Sequence, residues 1–180
     1  MHFNNLKQYY FVNTYNQNDL GSLSKYVRVI YRNYNKPKDI IKINKIKNFC
    51  KLRGIKFYVA NEIKLALKLG LDGVYLPSFN KEFTHNSYKY NKNFKIIGSA
   101  HNMYDIKIKI RQKSKEIFLA PIFKKKNNRF IGLYNLQKYR NLTSTKLIAL
   151  GGIDRFTIKK LLMIKADGFA AINFFKKKGP

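Results

Sequence analysis

Acidic residues are scarce in this sequence of 180 residues, which has nine Asp and Glu against 37 Lys and Arg. A metal site made of several carboxylates is therefore hard to assemble, because Mg²⁺ and Ca²⁺ prefer charged oxygen ligands. There is a single cysteine, Cys50, so an internal disulfide is excluded. Cys50 lies in a segment of apolar periodicity, which favours a buried structural thiol over a nucleophile.

Long hydrophobic runs are also missing, and none approaches the length needed to cross a bilayer. The first residues, MHFNNLKQYYFVN, lack the layout of a signal peptide. These absences, with the lone cysteine, predict a protein of the reducing cytoplasm that does not associate with membranes. A hydrophobic fraction of 45% excludes general disorder, and the length predicts one compact domain over residues 1–180.

The net charge of +28 suggests a nucleic-acid partner at first sight. However, the lysines are scattered from Lys7 to Lys178, and Lys, Asn, Ile, Phe and Tyr are abundant together, as A/T-rich codons would produce. Zinc-ligand spacing, RNP-like aromatic motifs and basic heptads are all missing. We expect no specific nucleic-acid partner. A basic polyanion-binding protein is the alternative, and it requires Lys and Arg to line one face.

Short apolar runs alternate with segments of helical period, a pattern typical of an α/β fold with a parallel sheet. Eight such runs favour a closed (β/α)8 TIM barrel with short loops and a short terminal helix over an open sheet. The runs are Tyr9–Val12, Val27–Tyr31, Lys56–Val59, Gly73–Leu76, Lys95–Ser99, Ile117–Ala120, Lys146–Leu150 and Gly168–Ile172.

Helices are predicted at Lys38–Arg53, Glu62–Leu69, Met103–Arg111 and Asp154–Lys165 from their apolar spacing. Gly54 suits a left-handed C-terminal cap, and Asp154 can cap the start of the last helix. Residues 79–93 are polar and rich in Asn, which predicts a loop with at most a short helix.

Functional residues of a parallel barrel collect at the C-terminal ends of its strands. The run LIALGGID, residues 147–154, brings Gly151 and Gly152 to such an end, directly before a helix. Glycine lets the backbone approach a ligand and expose N–H groups to an anion. With the amides of Ile172 and Asn173 after the next strand, these residues form our predicted phosphate site. A tight strand-to-helix turn would also explain the two glycines.

Four ordered segments resemble the thiamine phosphate synthase and TenI family. They are ANEIKLALKLGLDGVYLPS, IIGSAHN, IFLAPIF, and IALGGI followed by ADGFAAIN. Their order and spacing carry the resemblance over most of residues 28–173. It implies a barrel enzyme of thiamine biosynthesis that acts on a thiazole phosphate, either by condensation with a pyrimidine diphosphate or by TenI-type tautomerisation.

Several positions depart from the synthase pattern. The family's Arg-x-Lys is represented by Arg32 alone, because Tyr34 stands in the place of the lysine. The carboxylates that would hold Mg²⁺ align with Asn61 and Asn80, so no cofactor is certain and a metal would be held weakly. The loop after strand six has become Lys124, Lys125 and Lys126, which could bind a diphosphate or form a solvated basic loop.

The TenI reaction needs proton transfer and no metal. Ser99-Ala100-His101 reproduces the family's S-x-H motif, which implies Ser99 and His101 as catalytic residues with His101 as acid and base. A surface histidine before a helix capped by Asn102 is the alternative. Tyr75 replaces a histidine of the family and would pack over a heterocycle or fill the core. A degenerate barrel that binds phosphate without turnover is a further possibility.

Overall fold

The computed structural model describes residues 6–34, 39–124 and 130–176. Eight parallel strands form a closed barrel in sequence order, with β1 paired to β8. The predicted (β/α)8 TIM barrel is therefore confirmed. The strands are β1 Lys7–Val12, β2 Val27–Tyr31, β3 Phe57–Ala60, β4 Gly73–Leu76, β5 Lys95–Ala100, β6 Glu116–Leu119, β7 Lys146–Leu150 and β8 Gly168–Ala171.

Helices lie outside the strands, and none in the described part of the chain is long and apolar enough to span a membrane. Residues 84–87 add a 3₁₀ turn within the segment predicted to be a loop. After β8 the chain makes a turn at residues 173–175. The helices are α1 Gln17–Gly21, α2 Ile40–Leu52, α3 Ile63–Lys68, α4 Met103–Arg111, α5 Gly132–Asn141 and α6 Thr157–Met163.

Helix α4 and strands β2, β4 and β7 have the predicted bounds, whereas other ends differ. Helix α6 begins at Thr157 rather than at Asp154, whose carboxylate instead accepts the N–H groups of Phe156 and Thr157. Helices α1 and α5 are not predicted by the sequence pattern. Helix α5 buries Leu136 alone, so its apolar periodicity is too weak to be recognised.

The barrel interior is filled by side chains from alternate positions of the strands, as a closed eight-stranded barrel requires. Aromatic rings dominate it: Phe118 lies 4.8 Å from Tyr9, 5.8 Å from Phe11 and 5.6 Å from Tyr75, measured between ring centroids. A separate apolar layer packs between the strands and the helices. Cys50 belongs to that outer layer and is buried, which confirms the prediction of a structural thiol.

Candidate functional site

A cavity of about 240 Å³ opens at the C-terminal ends of β1, β2 and β8. Arg32 and Lys176 bring positive charge to its wall, and Asp19 brings the carboxylate. Burial beside Asp19 raises the pKa of Tyr10 to about 12, so this phenol stays neutral. The cavity is lined by Tyr10, Phe11, Val12, Asn13, Thr14, Asn16, Asp19, Leu20, Arg32, Ile172 and Lys176.

Two contacts with β1 position Arg32, a predicted substrate-binding residue. Its N–H donates to the Val12 carbonyl across 2.8 Å, and its guanidinium lies 4.6 Å from the centre of the Phe11 ring. In the described part of the chain no carboxylate forms an ion pair with Arg32. Its charge is therefore available to an anion that enters the cavity.

Gly151 and Gly152 follow β7 with φ of +94° and +71°, a region that favours glycine. The loop after β6 packs directly on them. A Cβ on Gly151 would lie 2.9 Å from the Cβ of Pro121, and one on Gly152 would lie 2.7 Å from the Cβ of Phe123. The glycines are thus required by their positive φ and by the packing of the loop after β6, whether or not an anion binds there.

The predicted phosphate site continues onto β8. Leu150 pairs with Ala170, so the ends of β7 and β8 are neighbours, and Gly152 and Ile172 each follow one of these two ends. Ile172 and Asn173 are exposed, and in the described part of the chain no residue accepts a hydrogen bond from the N–H groups of Gly152, Ile172 or Asn173. Asp154 already binds the N–H groups at the start of α6, so an anion here would meet loop amides rather than that helix end.

Hydrogen bonding at Asp154 lowers the pKa of this carboxyl, and the N–H of Thr157 is the main cause. Asp154 therefore remains ionised at neutral pH. Its negative charge closes the α6 side of the glycine loop to anions. Of the four predicted phosphate-binding residues, Ile172 is the one that lines the cavity.

His101 is exposed at the end of β5, next to the buried Ser99. The ring Nδ1 lies 2.6 Å from the carbonyl oxygen of Ala120 on the neighbouring strand. Because a carbonyl only accepts hydrogen bonds, Nδ1 carries the proton and Nε2 of the neutral ring has a free lone pair. Asn102 caps α4 through the N–H of Asp105, at 2.9 Å, as the surface alternative expects.

Tyr75 is buried inside the barrel, where its ring packs against Phe11 and Phe118. Burial raises the pKa of this phenol, while a hydrogen bond with Ser99 opposes the shift. Of the two interpretations of Tyr75, the structure supports core filling. Ser99 accordingly contacts Tyr75 and is buried. His101, by contrast, is exposed at the mouth of the barrel, which is the end where the C-termini of the strands lie.

Tyr34 and Phe79 meet across the mouth, although neither was a predicted site residue. Their ring centroids are 5.3 Å apart at an interplanar angle of 77°. Burial raises the pKa of the Tyr34 phenol, with Tyr75 as a further cause and Arg32 opposing it, so this phenol lies near Arg32. The sequence feature that could have indicated Tyr34 as a site residue is its position, since it stands in the place of the lysine of Arg-x-Lys.

Asn61 and Asn80, aligned with the carboxylates of a Mg²⁺ site, bind one another. The Nδ2 of Asn80 donates to the Oδ1 of Asn61 across 2.7 Å. The Oδ1 of Asn80 accepts from the Gln112 side chain and from the N–H of Glu82, each at 3.1 Å. Both amide oxygens are thus occupied and uncharged, and they do not fit Mg²⁺. Across residues 6–34, 39–124 and 130–176, no three His, Cys, Asp or Glu side chains are grouped to hold a metal.

Lys109 and Gln112 are buried residues of this region that the sequence pattern missed. Burial lowers the pKa of Lys109 to about 8, while Asp105 opposes the shift. The alternating Ile106, Ile108 and Ile110 made the pattern ambiguous between helix and strand, so it did not indicate which face of α4 is buried. The spacing of Ile106, Lys109 and Gln112, each three residues from the next, could have indicated it.

Lysines of the predicted diphosphate loop are only partly described. Lys124 is exposed, and Lys125 and Lys126 lie outside the described residues. Elsewhere each helix from α2 to α6 carries an exposed lysine, namely Lys45, Lys64, Lys107, Lys138 and Lys159. The positive charge therefore surrounds the barrel instead of lining one face, which removes the motivation for a dedicated polyanion-binding surface.

Comparison with known proteins gives consistent similarities. A family described as thiamine monophosphate synthase (TMP-TENI) matches residues 23–175. Thiamine-phosphate synthase of Prochlorococcus marinus is 30% identical over 133 residues, covering 71% of this chain and 36% of that protein. The Hydrogenobaculum enzyme of the same name is 27% identical over 157 residues, covering 81% and 70%.

Among solved structures, the thiamine phosphate pyrophosphorylase of Pyrococcus furiosus superimposes with a TM-score of 0.73 at 18% identity. The match covers 96% of this chain and 88% of that one, and it shows a shared fold. The chain spans less than two thirds of the length of several curated relatives that it matches.

Proposed function

Because the chain belongs to the thiamine monophosphate synthase family, we propose that it acts in thiamine biosynthesis on a thiazole phosphate, by proton transfer of the TenI type. The family works with pyrimidine and thiazole phosphate substrates. The observation that carries the choice of reaction is the contact of His101 Nδ1 with the Ala120 carbonyl. We also propose that residues 1–180 act as one domain in the cytoplasm, where Cys50 stays reduced.

His101 is the acid and base of the proposed reaction. Its Nε2 takes a proton from one carbon of the thiazole precursor, and the resulting imidazolium returns a proton to another position of the ring system. No atom is gained or lost, so no leaving group has to be stabilised. The Ala120 carbonyl keeps the ring in one tautomer and stabilises the imidazolium by accepting its Nδ1–H.

The phosphate of the substrate is proposed to bind backbone amides around Gly151, Gly152, Ile172 and Asn173. Ile172 also lines the cavity, whose wall holds Arg32 and Lys176. An anion at the strand ends would thus meet unpaired N–H groups and two cationic side chains. This arrangement supports a phosphorylated ligand whose ring extends from the phosphate site toward the centre of the mouth.

Condensation with a pyrimidine diphosphate is the second candidate, favoured by the names of the curated relatives. The described mouth offers less to this reaction. Tyr34, packed on Phe79, replaces the lysine of Arg-x-Lys. Asn61 and Asn80, in the places of the metal-binding carboxylates, form a side-chain hydrogen bond with each other. The leaving diphosphate would depend on Arg32 and on Lys124, Lys125 and Lys126.

Assaying both reactions on two variants separates the candidates. We expect His101→Asn to lower tautomerisation by ~10²–10⁴-fold, the usual contribution of a general acid and base. Replacing Lys124, Lys125 and Lys126 together by Ala should leave tautomerisation unchanged. Condensation that is lost in the lysine variant and kept in His101→Asn would establish the synthase reaction instead. Thiazole phosphate binding without either reaction would overturn the proposal in favour of a degenerate barrel.

A further inference from the structure

A buried ammonium group, that of Lys109 on α4, donates hydrogen bonds to the loop after β4. Lys109 is fully buried, and its Nζ donates to the carbonyls of Pro77 and Asn80 at 2.7 and 2.6 Å and to the Gln112 side chain at 2.8 Å. Three acceptors match the three protons of an ammonium. An unpaired buried charge is costly, so these contacts are needed to keep Lys109 inside the fold.

Gln112 extends the contact to the rest of the loop. Its Nε2 lies 2.7 Å from the carbonyl of Glu82 and 3.1 Å from Oδ1 of Asn80. Asn80 in turn holds Asn61 at the end of β3. One continuous hydrogen-bond chain thus runs from α4 through the loop of residues 77–83 to the mouth of the barrel.

The path of the Lys109 side chain depends on a glycine in β5. A Cβ on Gly98 would lie 2.8 Å from both Cγ and Cδ of Lys109. Gly98 does not have a positive φ, so close neighbours are what require a glycine here: the Lys109 side chain and the Ser114 Oγ, which lies 2.9 Å from the same Cβ position. The absence of a side chain on Gly98 therefore leaves the space through which the Lys109 side chain reaches the loop.

We propose that the Lys109 ammonium serves as a built-in cation that positions the β4 loop and the Asn61–Asn80 pair at the mouth without a metal ion. Lys109 is a positioning residue, because it contacts the loop and not the cavity. In the described residues Lys109 forms no ion pair with a carboxylate, so carbonyl oxygens are its direct partners, and the Asp105 carboxylate favours its charged form from a greater distance. The inference goes beyond the proposed function and is independent of which reaction the mouth performs.

Amide hydrogen exchange of the purified chain tests this role. We expect exchange at the amides of residues 78–83 of the unmutated protein to be the same with Mg²⁺ and with EDTA. In Lys109→Met, exchange there should rise at least about tenfold while the strands stay protected, because local opening needs only the loop contacts to break. The matched control is Lys107→Met, an exposed lysine on the same helix, which should leave the loop unchanged.

Two results would overturn the proposal. One is a loop whose protection in the unmutated protein rises with Mg²⁺ and falls with EDTA. The other is unchanged loop protection in Lys109→Met, or an increase in exchange spread evenly over all strands. Should Lys109→Met fail to fold, Gln112→Leu cuts the same chain of contacts without removing the charge, and it must show the same loop-confined increase.

Discussion

Glu116 and Tyr9 form a buried hydrogen bond at the N-terminal end of the barrel, the end opposite the candidate site. The Tyr9 hydroxyl donates to one carboxylate oxygen and the Lys7 ammonium to the other. Burial and the neighbouring Glu116 raise the pKa of Tyr9, so its hydroxyl keeps the proton that it donates. The contact joins β1 to β6 across the barrel floor.

We expect Glu116→Ala to destabilise the fold by about 1–3 kcal/mol, because it leaves the buried Tyr9 hydroxyl without an acceptor and removes the partner of the partly exposed Lys7 ammonium. Activity per folded molecule should stay unchanged, since the opposite end of the barrel carries function. Urea unfolding measures the stability, and Lys115→Ala, an exposed neighbour, is the control. Lost activity in folded Glu116→Ala would contradict this division of the barrel.

Asn173→Asp places a negative charge at the proposed phosphate site without changing the size of the side chain. We expect thiazole phosphate to bind on the order of tenfold more weakly, and the loss to shrink at high salt, because the repulsion is electrostatic. Titration calorimetry gives the affinity. Asn141→Asp, also at an exposed position, at the end of α5, is the control. Equal effects of the two variants on the affinity would show that the phosphate does not bind near Asn173.

Gly98→Ala should cost about 1–3 kcal/mol of stability, because the new methyl group overlaps the anchored Lys109 side chain. In a Lys109→Ala background the same change should cost less, because the contacts with Lys109 are gone and only the contact with the Ser114 Oγ, at 2.9 Å, remains. Gly21→Ala is the control, because nothing lies within 4 Å of its Cβ position. An identical cost of Gly98→Ala in both backgrounds would show that Lys109 does not require the glycine.

Cys50 should be nearly inert in the native protein. Burial raises its pKa to about 12, and only the thiolate reacts with disulfide reagents. At pH 8 the thiolate fraction is then roughly a thousandfold below that of an exposed thiol. Labelling should be slow in buffer, rise with pH, and become fast in urea. Rapid labelling of the native protein would mean that α2 opens readily.

The barrel was predictable because its signals are local. The runs Val27–Tyr31, Gly73–Leu76 and Lys146–Leu150 are strands with the predicted bounds, since a parallel strand buried on both faces is apolar over most of its length. Cys50 was predicted to be buried from its own segment. By contrast α5, with one fully buried residue, offered no such signal.

The sequence predicted which residues lie at the mouth of the barrel. The contacts between these residues depend on closure of the barrel. Asn61 and Asn80 are 19 residues apart, as are His101 and Ala120, and Lys109 reaches the Pro77 carbonyl across 32 residues. The sequence by itself determined the alternation of strand and helix, because each run buries its own apolar side chains. Only the tertiary structure decided that the two asparagines pair, that His101 has a fixed tautomer and that Lys109 is buried, because those contacts exist only once the strands are neighbours.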